Sequence, residues 1–561
     1  MAGGYLNIIA IGNANVLLTG NPTKTFFSAA YSKHTNFGLQ KYRLDYDGTR
    51  DLRLTEESKF SFKIKKYADL LMDMFIVINL PDIWSPIYNP SPETKFKWVG
   101  YDFKWIEDIG IQMIKSIEIN CGSVMIQKYS GSYLSSMMNR DFTKEKKDLF
   151  NEMSGNIDSI KDPANAFGRS NTYPSAYFTN SNTGAEPSIR GKTLMIPINA
   201  WFSLNTRCAF PLTSLFYSDL TVTVTIRPIQ ELFQVRDIFD SDNKYPYIRP
   251  DFNQEHFQMY RFLQTPPAIR IDTLSGAYQN TQKVWNADIN LSCTYCFLSN
   301  AESHKFATES QIYLLKDVIQ HDFNNIVGTK KVRMENSSGM VSSWMFHLQR
   351  NDVNMRNEWS NYSNWAYNVL PSNVVTAPYD ISSNVNNGII DVSMQLVNGP
   401  FVHPSQLDTN IFVSGNYASS NQKEILLSMG IVLVGEYREN ILQRGVFDYI
   451  EKYTRTNGFA KEGIYCYNFC LSTNPLNYQP SGALNLSKFK NIELELSTFT
   501  PTILPNNASF TVVCSSTGNP IAVTRKPNWQ LFEYSYNLTI YEERYNILSF
   551  VDGNVEMMFA R

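Results

Sequence analysis

The residues best suited to chemistry are seven cysteines, six histidines and one glycine–lysine–threonine run, and their spacing decides what each could do. Cys293 and Cys296 form a C-x-x-C, and Cys466 and Cys470 a C-x-x-x-C; either pair could be half of a zinc site. The plainer reading is small apolar filler. Both pairs lie in apolar runs (LSCTYCFL and IYCYNFC), and along an extended strand Cys293 and Cys296 point to opposite faces. Cys121, Cys208 and Cys514 stand alone, and so sparse a set fits folding in a reducing cytoplasm better than a disulfide framework. Gly191-Lys192-Thr193 resembles the end of a phosphate-binding loop. Glu186, however, stands where the first glycine is needed, and the following LMIPINAWF reads as strand instead of helix. No two histidines fall at metal-ligand spacing. The adjacent carboxylates Glu56-Glu57 and Glu542-Glu543 would face opposite ways on strands and read as solvated surface, as do the cations of the KEKK run at 144–147. No catalytic residue, metal or cofactor is expected.

Six Asn-x-Ser/Thr triplets occur, at Asn290, Asn336, Asn361, Asn485, Asn507 and Asn537. Asn290, Asn485 and Asn537 fall in strand-like sequence, which leaves Asn336 and Asn361, in loop-like sequence, as candidate glycosylation acceptors. The aromatics Trp359, Tyr362, Trp365 and Tyr367 lie in a polar stretch, where they could stack on sugar; loop packing is the favoured reading because aromatics bury large areas.

The elements that position these groups are mostly strands. At 561 residues the chain needs two or more cores. Aromatics make up 14% and charged residues only 18%, a balance that favours strands and polar loops over charged helices. A formal charge of −2 provides no field to attract nucleic acid. Phe60, Phe62 and Ile64 alternate with polar residues, as do Val222, Val224 and Ile226, then Ile492, Leu494 and Leu496, and then the run FEYSYNLTI at 532–540. Such period-two patterns predict antiparallel sandwiches with one buried face. Apolar runs at 74–80, 114–119, 194–198, 343–348 and 425–434 predict further strands, and helices should be few and short. Long polar segments at 151–190, 237–264 and 349–417 read as loops. No side-chain cation precedes Lys24, so no signal peptide is expected, and Ala2 stands where myristoylation needs glycine.

Five ordered segments carry a family resemblance. Residues 1–27, MAGGYLNIIAIGNANVLLTGNPTKTFF, resemble the start of the major capsid proteins of nucleocytoplasmic large DNA viruses, with an apolar arm, the turn Leu18-Thr19-Gly20-Asn21-Pro22 and the pair Phe26-Phe27. Residues 108–131, 194–224, 478–496 (with Gln479-Pro480-Ser481-Gly482) and 545–553 resemble later family segments in the same order. Lys488 replaces the arginine usual in the family, and the inner parts of 131–190 and 334–417 match nothing in it.

The resemblance implies an all-β chain of two tandem eight-stranded jelly rolls with long loops and few helices. An arm at 1–24 would lead to a first jelly roll at 25–303, a linker at 304–318 and a second jelly roll at 319–561. It implies a structural protein, without enzyme activity or cofactor, that forms homotrimeric pseudo-hexagonal capsomers tiling an icosahedral shell. Its partners would be itself, neighbouring capsomers, minor capsid and penton proteins and an internal membrane beneath the shell, with no direct nucleic acid. It would lie in the virion capsid, assembled in the host cytoplasm. Glycine and proline suit Gly20, Asn21 and Pro22 to a sharp turn, and Gln479, Pro480, Ser481 and Gly482 to a stop between strands. A minor capsid or scaffold-like paralogue and a carbohydrate-binding β-sandwich are the alternatives.

Overall fold

Alternating sequence becomes paired sheet in the computed structural model, which describes residues 12, 16–88, 99–169, 172–176, 185–240, 245–266, 278–281, 285–368, 423–501, 512–514, 520–523 and 534–559. Eight strands build a first sandwich: β1 (Phe37–Asp45), β2 (Ser58–Lys63), β3 (Leu70–Leu80), β4 (Ile114–Cys121), β5 (Val124–Tyr129), β6 (Lys192–Pro197), β7 (Leu220–Ile226) and β8 (Asn290–Leu298). They pair in the orders β1-β8-β3-β6 and β2-β7-β4-β5, every pairing antiparallel. Eight more repeat this wiring: β9 (Gln311–Ile326), β10 (Thr329–Arg333), β11 (Met340–Arg350), β12 (Leu426–Leu433), β13 (Glu436–Gln443), β14 (Ile464–Asn468), β15 (Ile492–Thr498) and β16 (Tyr536–Val551). Their orders are β9-β16-β11-β14 and β10-β15-β12-β13. In each unit the first strand lies beside the eighth and the second beside the seventh, which is jelly-roll wiring. The fold is a double jelly roll.

The period-two readings land on strands. In β2 and β15 buried and exposed or half-buried positions alternate without a break, with Phe60, Phe62, Leu494 and Leu496 inside. In β7 the intervening Thr223 is buried too, because its hydroxyl meets that of Ser61 at 3.1 Å. β16 starts at Tyr536, so 532–533 of the FEYSYNLTI run lie outside the described residues, as do Asn507 and 369–417 of the third polar stretch.

Three expectations need correction. The stretch 151–190 is not simply loop: α2 (Lys144–Ser154) reaches into it and a further helical turn covers Asp158–Lys161. Only Phe150 and Ser154 of α2 are buried, so it lacks the apolar stripe that marks a helix; its clearest signal is Gly155, whose φ of 81° closes its C-terminus. The residues 304–318 comprise the end of α3 (Asn300–Thr308) and the first half of β9. In the Gly20-Asn21-Pro22 turn, Asn21 and not Gly20 takes the left-handed backbone, at φ 49°, after the single turn Val16–Thr19. In the later motif Gly482 does need its freedom, with φ 130°. Ser481 there accepts from the Ser472 N–H at 3.0 Å and donates to the Ser472 carbonyl at 2.8 Å.

Candidate functional site at the seam between the sandwiches

α1 (Gly131–Asp141) follows β5 directly, and its sequence alternates small and large side chains in a way suited to tight packing. Ser130 caps it by accepting from the Tyr133 N–H at 3.3 Å, and every residue except Ser132 is buried. Ile111 and Ile114 of its own unit cover it at Gly131, and the second sandwich covers Tyr133 and Arg140. One continuous apolar core takes Ile117, Ile119, Tyr133 and Met137 from the first unit and Leu315, Met345, Tyr541 and Leu548 from the second. Aromatic rings reinforce it, with Trp201 5.1 Å from Tyr313 and Phe210 5.2 Å from Phe550. On the polar side Gln127 of β5 donates to the Lys316 carbonyl of β9 at 2.7 Å and accepts from the Trp201 N–H at 3.3 Å.

A buried ion network sits at the far end of α1. Arg140 is fully buried and donates to both carboxylate oxygens of Glu543, at 2.9 and 3.0 Å, and to Asp141 at 2.7 and 3.0 Å. Glu543 also accepts from the hydroxyls of Tyr133 at 2.8 Å and Ser343 at 2.7 Å, and Lys316 lies 3.7 Å away. Asp141 accepts from the Thr473 hydroxyl. Two cations thus face two carboxylates. Burial pushes the Glu543 carboxyl up, but Arg140, Lys316 and the hydroxyls outweigh it and hold it at about 2. Burial pushes Asp141 upward and Arg140 opposes it. The result is a charge-balanced clasp whose carboxylates are tied up in hydrogen bonds.

A second stitch crosses the same seam. Lys461 donates to Glu107 at 2.8 Å and to the Ser360 carbonyl at 3.0 Å, and Asn368 holds the other Glu107 oxygen at 3.1 Å. Burial pushes Glu107 up, yet Lys461 brings it below its usual range. Gln234 of the first unit reaches Glu358 of the second at 2.8 Å, and the Trp359 indole donates to the Glu231 carbonyl at 3.0 Å.

Glycine marks where backbones touch. A Cβ at Gly131 would lie 2.1 Å from the Ile111 carbonyl oxygen and 2.5 Å from that of Ile114. Gly131→Ala is therefore expected to shift α1 and cost about 1–3 kcal/mol of unfolding free energy, readable by urea denaturation. A change below 0.5 kcal/mol would contradict the tight contact.

The residues singled out for chemistry are dispersed. Cys293 lies in the main core and Cys296 in a separate cluster with Leu70 and Ala209, as opposite strand faces require. Burial pushes the thiols of Cys293 and Cys466 up to about 12. Among the described residues no group of three or more His, Cys, Asp or Glu side chains could hold a metal ion. The Gly191 N–H that a phosphate would need goes to Asp82 at 2.7 Å, and Lys192 pairs with Glu152 at 3.0 Å. Tyr362 and Tyr367 are buried and Trp359 is half-buried beneath Arg227 at 4.2 Å, so the sugar-stacking platform of the carbohydrate reading is absent there. Asn361 is also buried, its amide donating to the Trp365 carbonyl at 2.8 Å, which corrects its candidacy as a glycan acceptor; Asn336 is exposed at φ 62°.

Sequence reasoning missed the clasp. Glu542 and Glu543 do face opposite ways, but neither is solvated, and Glu542 accepts from the Trp344 indole at 3.0 Å. Among the described residues no helix is long and apolar enough to cross a membrane.

Residues 25–285 match the family described as the major capsid protein N-terminus. The chain is 23% identical over 521 residues to the major capsid protein of Phaeocystis pouchetii virus, covering 88% of this chain and 93% of that one. It is 22% identical over 563 residues to the major capsid protein of Paramecium bursaria Chlorella virus 1, across 100% of both chains. Among solved structures, a chain of the PBCV-1 virus capsid superposes with a TM-score of 0.57 at 17% identity, over 96% of this chain and 100% of that one.

Proposed function

We propose, from the kinship of this double jelly-roll chain with the major capsid proteins of large DNA viruses, that it is a shell subunit whose homotrimers form pseudo-hexagonal capsomers tiling an icosahedral facet. The observation that carries this reading is the seam. Two sandwiches of identical wiring are held as one body by a shared core and a buried clasp, so three chains would offer six like lobes. A subunit that bears lattice load needs such rigidity, and a flexible pair of domains would not keep a flat facet.

The arm, residues 1–24, would lie at the capsomer base. Its described part exposes Leu17 and Leu18, followed by Phe26 and Phe27, an apolar run that calls for a protein partner such as a neighbouring capsomer or a minor capsid or penton protein. An internal membrane beneath the shell would be a further neighbour. The two jelly rolls would be joined through α3, with β9 opening the second from Gln311, and the turns at Gly20-Asn21-Pro22 and Gln479-Pro480-Ser481-Gly482 would place strands. The role is structural, without catalysis, cofactor or nucleic-acid contact, in a virion shell assembled in the host cytoplasm. Asn336 is the remaining candidate glycan acceptor. Negative-stain images of the purified protein test the reading: six-lobed rings are expected, and isolated two-lobed particles would sink it.

A further inference from the structure

Lys104 is a half-buried lysine that, among the described residues, has neither an ion pair nor a hydrogen bond. It lies on the short strand Phe103–Trp105, whose two aromatic side chains go into the core, so Lys104 takes the other face. That face meets a cavity of about 240 Å³ beside the Lys461–Glu107 stitch. The helical turn Asp158–Lys161 of the first unit walls it on one side, and residues 357–360 of the second unit on another.

The carboxylates around Lys104 are already committed. Glu107 accepts from Lys461 at 2.8 Å and from Asn368 at 3.1 Å. Glu358 accepts from the Gln234 amide at 2.8 Å and from the Asn368 N–H at 3.1 Å. Asp158 lies 3.8 Å from Lys161, and Asp162 accepts from the Asn165 amide at 2.9 Å. The Lys104 ammonium lies instead over the Tyr247 ring, 4.5 Å from its centroid, and shares that ring with the Arg236 guanidinium at 5.3 Å. Burial favours the neutral amine and Arg236 adds to this; Glu358, Asp162 and Glu107 oppose it without prevailing, so Lys104 titrates below the ordinary lysine range. A lysine freed of its proton inside a cavity is a nucleophile.

Size and charge define what fits. The cavity falls short of the ~300–1,000 Å³ of drug-sized ligand sites, so its occupant is small. Its walls carry Glu107, Asp158, Asp162 and Glu358 against Lys104 and Lys161, a balance that disfavours an anion. Tyr247 and Trp359 add aromatic surface for an apolar body.

We propose that Lys104 is a covalent attachment point for a small neutral aldehyde, which condenses with its amine inside this cavity. The Nζ lone pair attacks the carbonyl carbon and forms the new C–N bond. The two amine hydrogens leave with the carbonyl oxygen as water, so the imine forms without oxidant or reductant. Once protonated, the imine restores a cation over the Tyr247 ring and among the carboxylates. Acyl transfer to the same nitrogen would abolish that cation, which favours a carbonyl compound over an acyl donor.

Benzaldehyde and glyoxylate, applied in parallel to the purified wild-type protein at about pH 7.5 with cyanoborohydride, test this. The hydride reduces each imine to a stable secondary amine, and peptide mass mapping reads the labelling rate at every lysine. With benzaldehyde, Lys104 should be labelled roughly tenfold faster or more than the exposed Lys59 and Lys144. With glyoxylate, an anion, that advantage should be lost. Lys104→Arg should remove the fast-labelled site. Benzaldehyde labelling of Lys104 no faster than that of Lys59 and Lys144 overturns the proposal, whether or not the Lys104→Arg chain folds. An equal advantage with glyoxylate overturns the neutral class assigned to the ligand.

Discussion

Arg140→Met is expected to cost about 3–5 kcal/mol of stability at neutral pH, because it strands Glu543 and Asp141 in the seam with only Lys316 to balance them. Methionine keeps much of the volume, so the loss reports charge and hydrogen bonding more than packing. The pH dependence separates the two. In the native clasp Glu543 is held at about 2, below the ~4.3 of an unfolded glutamate. Its stabilising share is therefore complete above pH ~4.3 and is lost as pH falls from there through 2. Asp141, pushed up by burial, has the opposite sign and gains as pH falls through its raised folded value. Without Arg140 both carboxyls rise and take up protons, so the variant's deficit should shrink between pH 7.5 and 5.5. Urea unfolding of both proteins at one protein concentration checks this. A deficit below 1 kcal/mol, or one that does not change with pH, would show that the clasp contributes little.

Asp352→Asn should have an effect of similar size at the outer end of β11. Asp352 accepts from Arg350 at 2.6 and 2.9 Å and pairs with Arg356 at 2.9 Å, and both guanidiniums are fully buried. Arg350 also lies over the Tyr534 ring at 3.7 Å. Burial pushes the Asp352 carboxyl up, but its two arginines bring it below the usual range. A neutral amide would leave two buried cations facing each other, at about 3–5 kcal/mol. Removing one of them should restore part of the loss, so the double variant Asp352→Asn/Arg356→Met is expected to be more stable than Asp352→Asn alone. Equal stability would place the cost in geometry and not in unpaired charge. Residues 353–368, which carry the second stitch, follow this cluster directly, so weakened protection there in hydrogen exchange should accompany the loss.

The sandwiches were legible wherever one strand face meets the core and the other meets water. β2 and β15 read correctly because Phe60, Phe62, Leu494 and Leu496 alternate with polar residues. The dispersal of the cysteines followed from strand geometry alone. The seam was illegible for the same reason. Ser343, Glu543 and Gln127 lie on faces that a strand pattern assigns to solvent, and only the arrival of the other sandwich buries them. Nothing local separates a polar residue in water from one clasped by Arg140 more than four hundred positions away in sequence. β9 illustrates the point along one strand: its first half mixes charged and apolar residues because one side is covered by β5, and so it reads as a linker. α2 failed for want of an apolar stripe. A turn such as Ser481-Gly482, by contrast, is held locally, by the Ser481 hydroxyl bonded to the N–H and carbonyl of Ser472 and by the positive φ of Gly482.

Native mass measurement of the wild-type chain at micromolar concentration tests the central claim most directly. The account predicts one dominant species at three times 64.3 kDa that persists on dilution. A single 64.3 kDa species under the same conditions would contradict it.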